Sequence, residues 1–156
     1  MRPVAKFLLL LFIAFNSQAE SKHFFNDKTL DLIRIEMTNK PFVLTFWSKD
    51  CVYCSDNFTI INSVKIRNST IPVYAVCVDC IDDFDNFINN IKRYNITNFQ
   101  NYLMDSVNNE SIFFRIDSKW GGETPKTYFF DPKHLRTSFS GVIPKQSLNK
   151  LLENNN

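Results

Sequence analysis

The sequence predicts an α/β fold in which helices cover both faces of a central mixed sheet, and three observations carry that prediction. The runs 42–47 and 72–78 are almost continuously apolar and β-branched, the pattern of strands buried on both faces. Each is followed by residues with helical apolar spacing. The resulting order of strand, helix, strand, helix calls for parallel strands joined by crossover helices. Nearer the C-terminus, 127–130 and 135–140 flank Asp131-Pro132-Lys133-His134, a turn-forming group that predicts an antiparallel hairpin.

A chain of 156 residues holds one compact core and hardly two. With 44% apolar and 22% charged residues, it has the balance of a folded globular protein, and its sixteen Phe read as core filling. Eighteen basic against sixteen acidic side chains leave a charge of +2 with no extended basic block, which argues against nucleic acid or a membrane surface as partner.

The elements follow in order. Arg2 and Lys6 precede nine apolar residues, 7–15, and Ser17-Gln18-Ala19 supplies the small residues of a secretory cleavage site. A span needs about twenty apolar residues, so 1–19 reads as a signal peptide cut after Ala19, and no stable membrane insertion is expected afterwards. Residues 20–156 then form a single exported domain, with the periplasm as its expected compartment. Asn26 or Asp27 can cap a helix with Leu30, Ile33 and Met37 on one face, stopped by Asn39-Lys40-Pro41. After strand 42–47 come Cys51-Val52-Tyr53-Cys54 and a helix marked by Phe58, Ile61 and Val64. Strand 72–78 leads to an amphipathic helix over 81–94, with Asp82, Asp83 and Asp85 in its first turn. A short strand at 102–104 and a short helix at 107–114 are expected before the hairpin. Gly141 ends the last strand, and 144–152 closes the chain as a helix with Pro144 at its start.

Cys51 and Cys54 carry the chemistry. Two cysteines separated by two residues at a strand-to-helix junction can close a small disulfide ring with the first sulfur at the helix start. Backbone N–H groups and the helix dipole favour a thiolate there. Cys51 is accordingly the expected nucleophile, and Cys54, one turn further in, the resolving thiol. Taken alone, the spacing also fits a structural disulfide or half of a zinc site.

The surrounding residues narrow this. The run Phe42-Val43-Leu44-Thr45-Phe46-Trp47, three residues and then the Cys pair resembles the thioredoxin signature, and Gly121-Gly122-Glu123-Thr124-Pro125-Lys126-Thr127 resembles that family's second signature. The resemblance covers nearly all of the chain after the signal and implies a thioredoxin fold. It also implies a cis Thr124-Pro125 bond beside the disulfide, a site shaped by Trp47, Val52, Tyr53, Thr124 and Pro125, and no cofactor. The segments 73–79, 102–105 and 127–131 look like the TlpA and ResA branch, whose members are exported and mostly reductants. Thiols and disulfides of exported proteins, with a membrane electron donor, are the partners this implies. Disulfide oxidase or isomerase is the alternative direction, and a metal-binding or chaperone module is the alternative of another class.

The chain departs from the family at three places. Thr45 stands where thioredoxin has a deep acidic residue, so the proton acceptor for Cys54 must come from elsewhere, with Asp50, Asp79 and Glu123 as candidates. Val52-Tyr53 replaces a Gly-Pro or Pro-containing pair. Cys80 occupies the place of an acidic residue common in haem-maturation members.

Cys77-Val78-Asp79-Cys80 forms a second pair at the end of the second strand, on the sheet edge that also carries Cys51. It reads as a structural bridge, as two inert thiols or as a redox relay, and closing a bridge requires the chain to turn near Asp79. Two Cys-x-x-Cys pairs 22 residues apart also allow a four-thiolate zinc site, which leaves Trp47 and Thr124-Pro125 unexplained. No metal is expected. His23 and His134 have no partner in the sequence and are expected on solvated surface; Trp120 is expected either in the core or at the active-site edge.

Overall fold

The structure is a computed structural model describing residues 24–26, 28–65, 71–80, 82–105 and 109–154. The leader 1–19, the cleavage site, His23 and Asp27 lie outside the described residues. The elements run β1 (Phe24–Phe25), α1 (Thr29–Glu36), β2 (Phe42–Trp47), α2 (Cys54–Lys65), β3 (Val73–Cys77), α3 (Phe84–Arg93), β4 (Gln100–Met104), α4 (Asn109–Ile116), β5 (Lys126–Phe130), β6 (Arg136–Ser140) and α5 (Lys145–Glu153).

One six-stranded sheet has the order β1-β4-β3-β2-β5-β6. The first four are parallel, and β5 and β6 run antiparallel to their neighbours. The sheet is therefore mixed, as the sequence predicts. Side chains along β2 alternate between two cores. Val43 and Trp47 face one that is filled by Phe58 and Ile61 of α2, Phe87 and Ile91 of α3, and Leu148 and Leu152 of α5. Phe42, Leu44 and Phe46 face the other, with Leu30 and Ile33 of α1 and Ile112 and Ile116 of α4. Burial on both faces explains why β2 and β3 read as unbroken apolar runs.

Several expectations are corrected. Helix α3 starts at Phe84 and not at 81, because the Asp83 side chain accepts the Asn86 N–H at 3.1 Å and fixes the cap there. Asp82 falls before the helix. At α1, Lys28 is the cap residue without a side-chain cap; Asn26 acts two residues earlier, accepting the Lys28 N–H at 3.1 Å. The strand expected at 102–104 spans Gln100–Met104, and the helix expected at 107–114 spans Asn109–Ile116, with 107 and 108 outside the described residues. The two-residue β1, paired to Leu103 and Met104, is too short to show a period in sequence. His134 is partnered after all: at φ 58° in the hairpin turn, its Nε2 lies 3.1 Å from the Met37 carbonyl and its ring stands edge-on to Phe42. Trp120 is core, 4% exposed, donating its indole N–H to the Glu123 carbonyl.

Candidate active site

Strand β2 ends at Trp47, and Ser48, Lys49 and Asp50 carry the chain to Cys51 at the mouth of α2. The Cys51 N–H bonds to the Ser48 carbonyl, and the Cys54 N–H to the Cys51 carbonyl, both at 3.3 Å. These turns place Cys54 as the first residue of α2 and Cys51 just ahead of it. The two are joined by a disulfide with Cα atoms 5.4 Å apart. The sulfurs are not equivalent: Cys54 is wholly buried, whereas Cys51 is only partly covered. Val52 and Tyr53 stand out into solvent, 83% and 62% exposed, and form an apolar rim beside Cys51.

A second loop meets the first. Thr124-Pro125 is cis, and the Thr124 hydroxyl lies 3.0 Å from that of Ser48. Thr45 pairs with Thr127 and Phe46 with Lys126, so continuing this register sets Pro125 opposite Trp47. Trp47 itself is fully enclosed, stacked on Phe87 with ring centroids 6.0 Å apart and edge-on to Phe58 and Tyr94. It supports the Cys51 loop from beneath, out of reach of a bound polypeptide.

Under Cys54, a neutral network occupies the place of the family's deep acid. The Asn57 amide donates to Thr127 Oγ1 at 3.1 Å and to Thr45 Oγ1 at 3.4 Å, the two threonine hydroxyls are 3.0 Å apart, and Asn57 Oδ1 accepts the Ile143 N–H at 2.9 Å. All three side chains are buried. Asn57 escaped the sequence reading, although its position three residues after Cys54 puts it on the inward face of α2.

The candidate carboxylates are scattered. Asp50 lines an open cleft of about 330 Å³ beside Cys51, together with Lys49, Val52, Arg93 and Tyr94. Lys49 and Arg93, also missed in sequence, set two positive charges against the one carboxylate of Asp50 in this cleft. Glu123 bonds to the Gly121 N–H and the Ser140 hydroxyl. Asp79 accepts the Lys49 N–H and lies against the second cysteine pair. Neither of these two is hydrogen-bonded to Cys54.

Cys77 closes β3 and is bridged to Cys80 across a bend at Val78 and Asp79, with Cα atoms 5.7 Å apart. Trp47 and Cys77 are partners in the register of β2 and β3, and the Val78 N–H bonds to the Trp47 carbonyl. Both cysteine pairs thus leave from facing positions at one edge of the sheet. The donor atoms of Cys77, Asp79 and Cys80 lie within 4.8 Å of one another. With both sulfurs in the bridge, the carboxylate alone is open to a cation.

No protein-family model matches this chain, and no curated protein does. Solved structures do. A secreted disulfide oxidoreductase of Mycobacterium tuberculosis, described as homologous to Escherichia coli DsbE, superposes with a TM-score of 0.61 at 19% identity, over 77% of this chain and 85% of that one. A DsbF homologue from Corynebacterium diphtheriae gives 0.64 at 17% identity over 78% and 75%. The exposed lipoprotein thioredoxin Etrx1 of Streptococcus pneumoniae gives 0.58 at 14% identity over 77% and 88%. Likeness at this level of identity is likeness of fold, and with the helix-start Cys pair and the cis Thr124-Pro125 bond it identifies the chain as a thioredoxin-fold protein.

Proposed function

We propose that this protein is an exported thiol-disulfide oxidoreductase that reduces disulfides in other exported proteins. The observation that carries the reading is the asymmetry of the Cys51–Cys54 pair: one sulfur reachable at the start of a helix, the other sealed beneath it, with the Thr124-Pro125 loop tied alongside through Ser48. In the reduced form, the Cys51 thiolate attacks one sulfur of a substrate disulfide, and the partner sulfur leaves as a thiolate. Cys54 then gives up its proton and attacks Cys51, releasing the substrate as a dithiol and closing the Cys51–Cys54 bridge. Of the three candidate carboxylates, Asp50 alone lines the cleft beside Cys51, and we assign it as the acceptor for the proton that Cys54 gives up once the Cys51 mixed disulfide has formed. Val52 and Tyr53 offer an apolar edge to an unfolded polypeptide, and Thr124 offers its backbone.

The leader 1–19 supports export with cleavage after Ala19, leaving 20–156 as one thioredoxin-like domain in the periplasm. Among the described residues, no helix is long and apolar enough to cross a membrane. Thiols in an oxidising compartment need a supply of electrons, so a membrane-embedded donor completes the cycle. The test is insulin reduction by the mature chain with dithiothreitol. Cys51→Ser abolishes turnover, whereas Cys54→Ser accumulates a mixed disulfide through Cys51 that non-reducing gels resolve. Trapping through Cys54 in Cys51→Ser would reverse the two roles.

A further inference from the structure

One oxygen of Asp79 lies between the second cysteine pair and the loop that leads to Cys51. Its Oδ1 accepts the Lys49 backbone N–H at 3.0 Å and lies 3.4 Å from Cys77 Sγ and 3.7 Å from Cys80 Sγ. Lys49 is two residues before Cys51 and lines the same cleft. A disulfide sulfur has no hydrogen to donate, so with Cys77 and Cys80 bridged, the Lys49 N–H is the donor that this oxygen receives. Reduction alters that arrangement. Two electrons and two protons from a dithiol break the S–S bond, the donor closes to its own disulfide, and two S–H groups are left beside the same oxygen. They compete with Lys49 for it, and the bend at Val78 and Asp79 is no longer closed into a ring.

We propose that Cys77–Cys80 is a second redox centre whose state is read at Cys51 through Asp79, which acts as a positioning residue. Bridged, the pair holds Asp79 on the Lys49 N–H and fixes the loop that presents Cys51; reduced, it draws Asp79 away and loosens that loop. Both sulfurs are buried, at 0% and 2% exposure, so the reductant is a small dithiol and not a folded protein. The proposal rests on Cys51 as the reactive thiol.

The test uses the full mature chain and reads two properties of the Cys51–Cys54 couple: its equilibrium constant with glutathione, and the pH profile of Cys51 alkylation. Cys77→Ser/Cys80→Ser cannot bridge and places two hydroxyl donors beside Asp79. It is expected to shift the constant by about twofold or more, the low end of coupling between groups in one hydrogen-bond network. Adding Asp79→Ala removes the effect of the serines, whereas Asp79→Asn alone, which keeps an oxygen acceptor, stays near the unmutated value. An unchanged constant and profile in Cys77→Ser/Cys80→Ser, or a shift of equal size with and without Asp79, overturns the proposal and leaves the bridge as structure. Should the double serine variant not fold, Asp79→Ala against Asp79→Asn decides, since identical alkylation profiles overturn it equally. Both readouts belong to the couple itself, so they decide the coupling even if insulin reduction fails and the functional reading falls.

Discussion

At the scale of single residues, the candidate site gives two chemically identical cysteines different surroundings. Cys51 has the helix start, partial exposure and the charged cleft of Lys49, Asp50 and Arg93; Cys54 is wholly buried, and Asn57, three residues further along α2, joins the neutral Thr45 and Thr127. Asn57 is the pivot of that network, because its carbonyl oxygen holds the Ile143 N–H while its amide holds both threonines. Replacing it with Ala strands the buried Ile143 N–H and leaves the two threonine hydroxyls only each other as partners. Asn57→Ala is therefore expected to lose about 1–3 kcal/mol in denaturant unfolding. A loss below about 0.5 kcal/mol would mean that the network contributes less than an ordinary hydrogen bond.

At the scale of elements, the central strands set both the core and the placement of the cysteines. Strand β3 carries Cys77 at its end and, on its other face, Tyr74, whose phenol is pushed up from 10.0 to about 12, first by burial and then by the nearby Glu36 carboxylate. The sign follows from linkage. The unfolded chain releases the phenol proton near pH 10 and the folded one only near pH 12, so ionisation favours unfolding across that window. Stability contributed by a neutral, enclosed Tyr74 is thus intact below pH 10 and lost as pH rises toward 12. Alkaline unfolding followed by circular dichroism and tyrosinate absorbance checks this: Tyr74→Phe is expected to flatten the decline between pH 10 and 12 relative to the unmutated protein.

At the scale of the whole molecule, the elements buried on both faces were legible in sequence and the polar details were not. Strand β2 was placed to the residue because no polar side chain interrupts 42–47 apart from Thr45, and the hairpin was legible from its turn residues. The start of α3 was misplaced because three nearby aspartates look alike in sequence, and only geometry selects Asp83 as the cap. In the site, both cysteine pairs and the cis Thr124-Pro125 bond were readable from spacing and resemblance. Asn57, Lys49 and Arg93 were not, since each owes its place to contacts between elements far apart in the chain. Asp79, named in sequence as one of three candidate acceptors, is found on the Lys49 N–H and beside Cys77 and Cys80, a placement that only the meeting of the two loops reveals.

The central claim is that the Cys51–Cys54 couple belongs to a reductant, and its reduction potential tests this most directly. Equilibrating the mature protein with dithiothreitol or glutathione is expected to give a value near that of thioredoxin, about −270 mV. A value near about −120 mV, that of a strong oxidant stabilised in its reduced form, would contradict the account and assign the protein to disulfide formation.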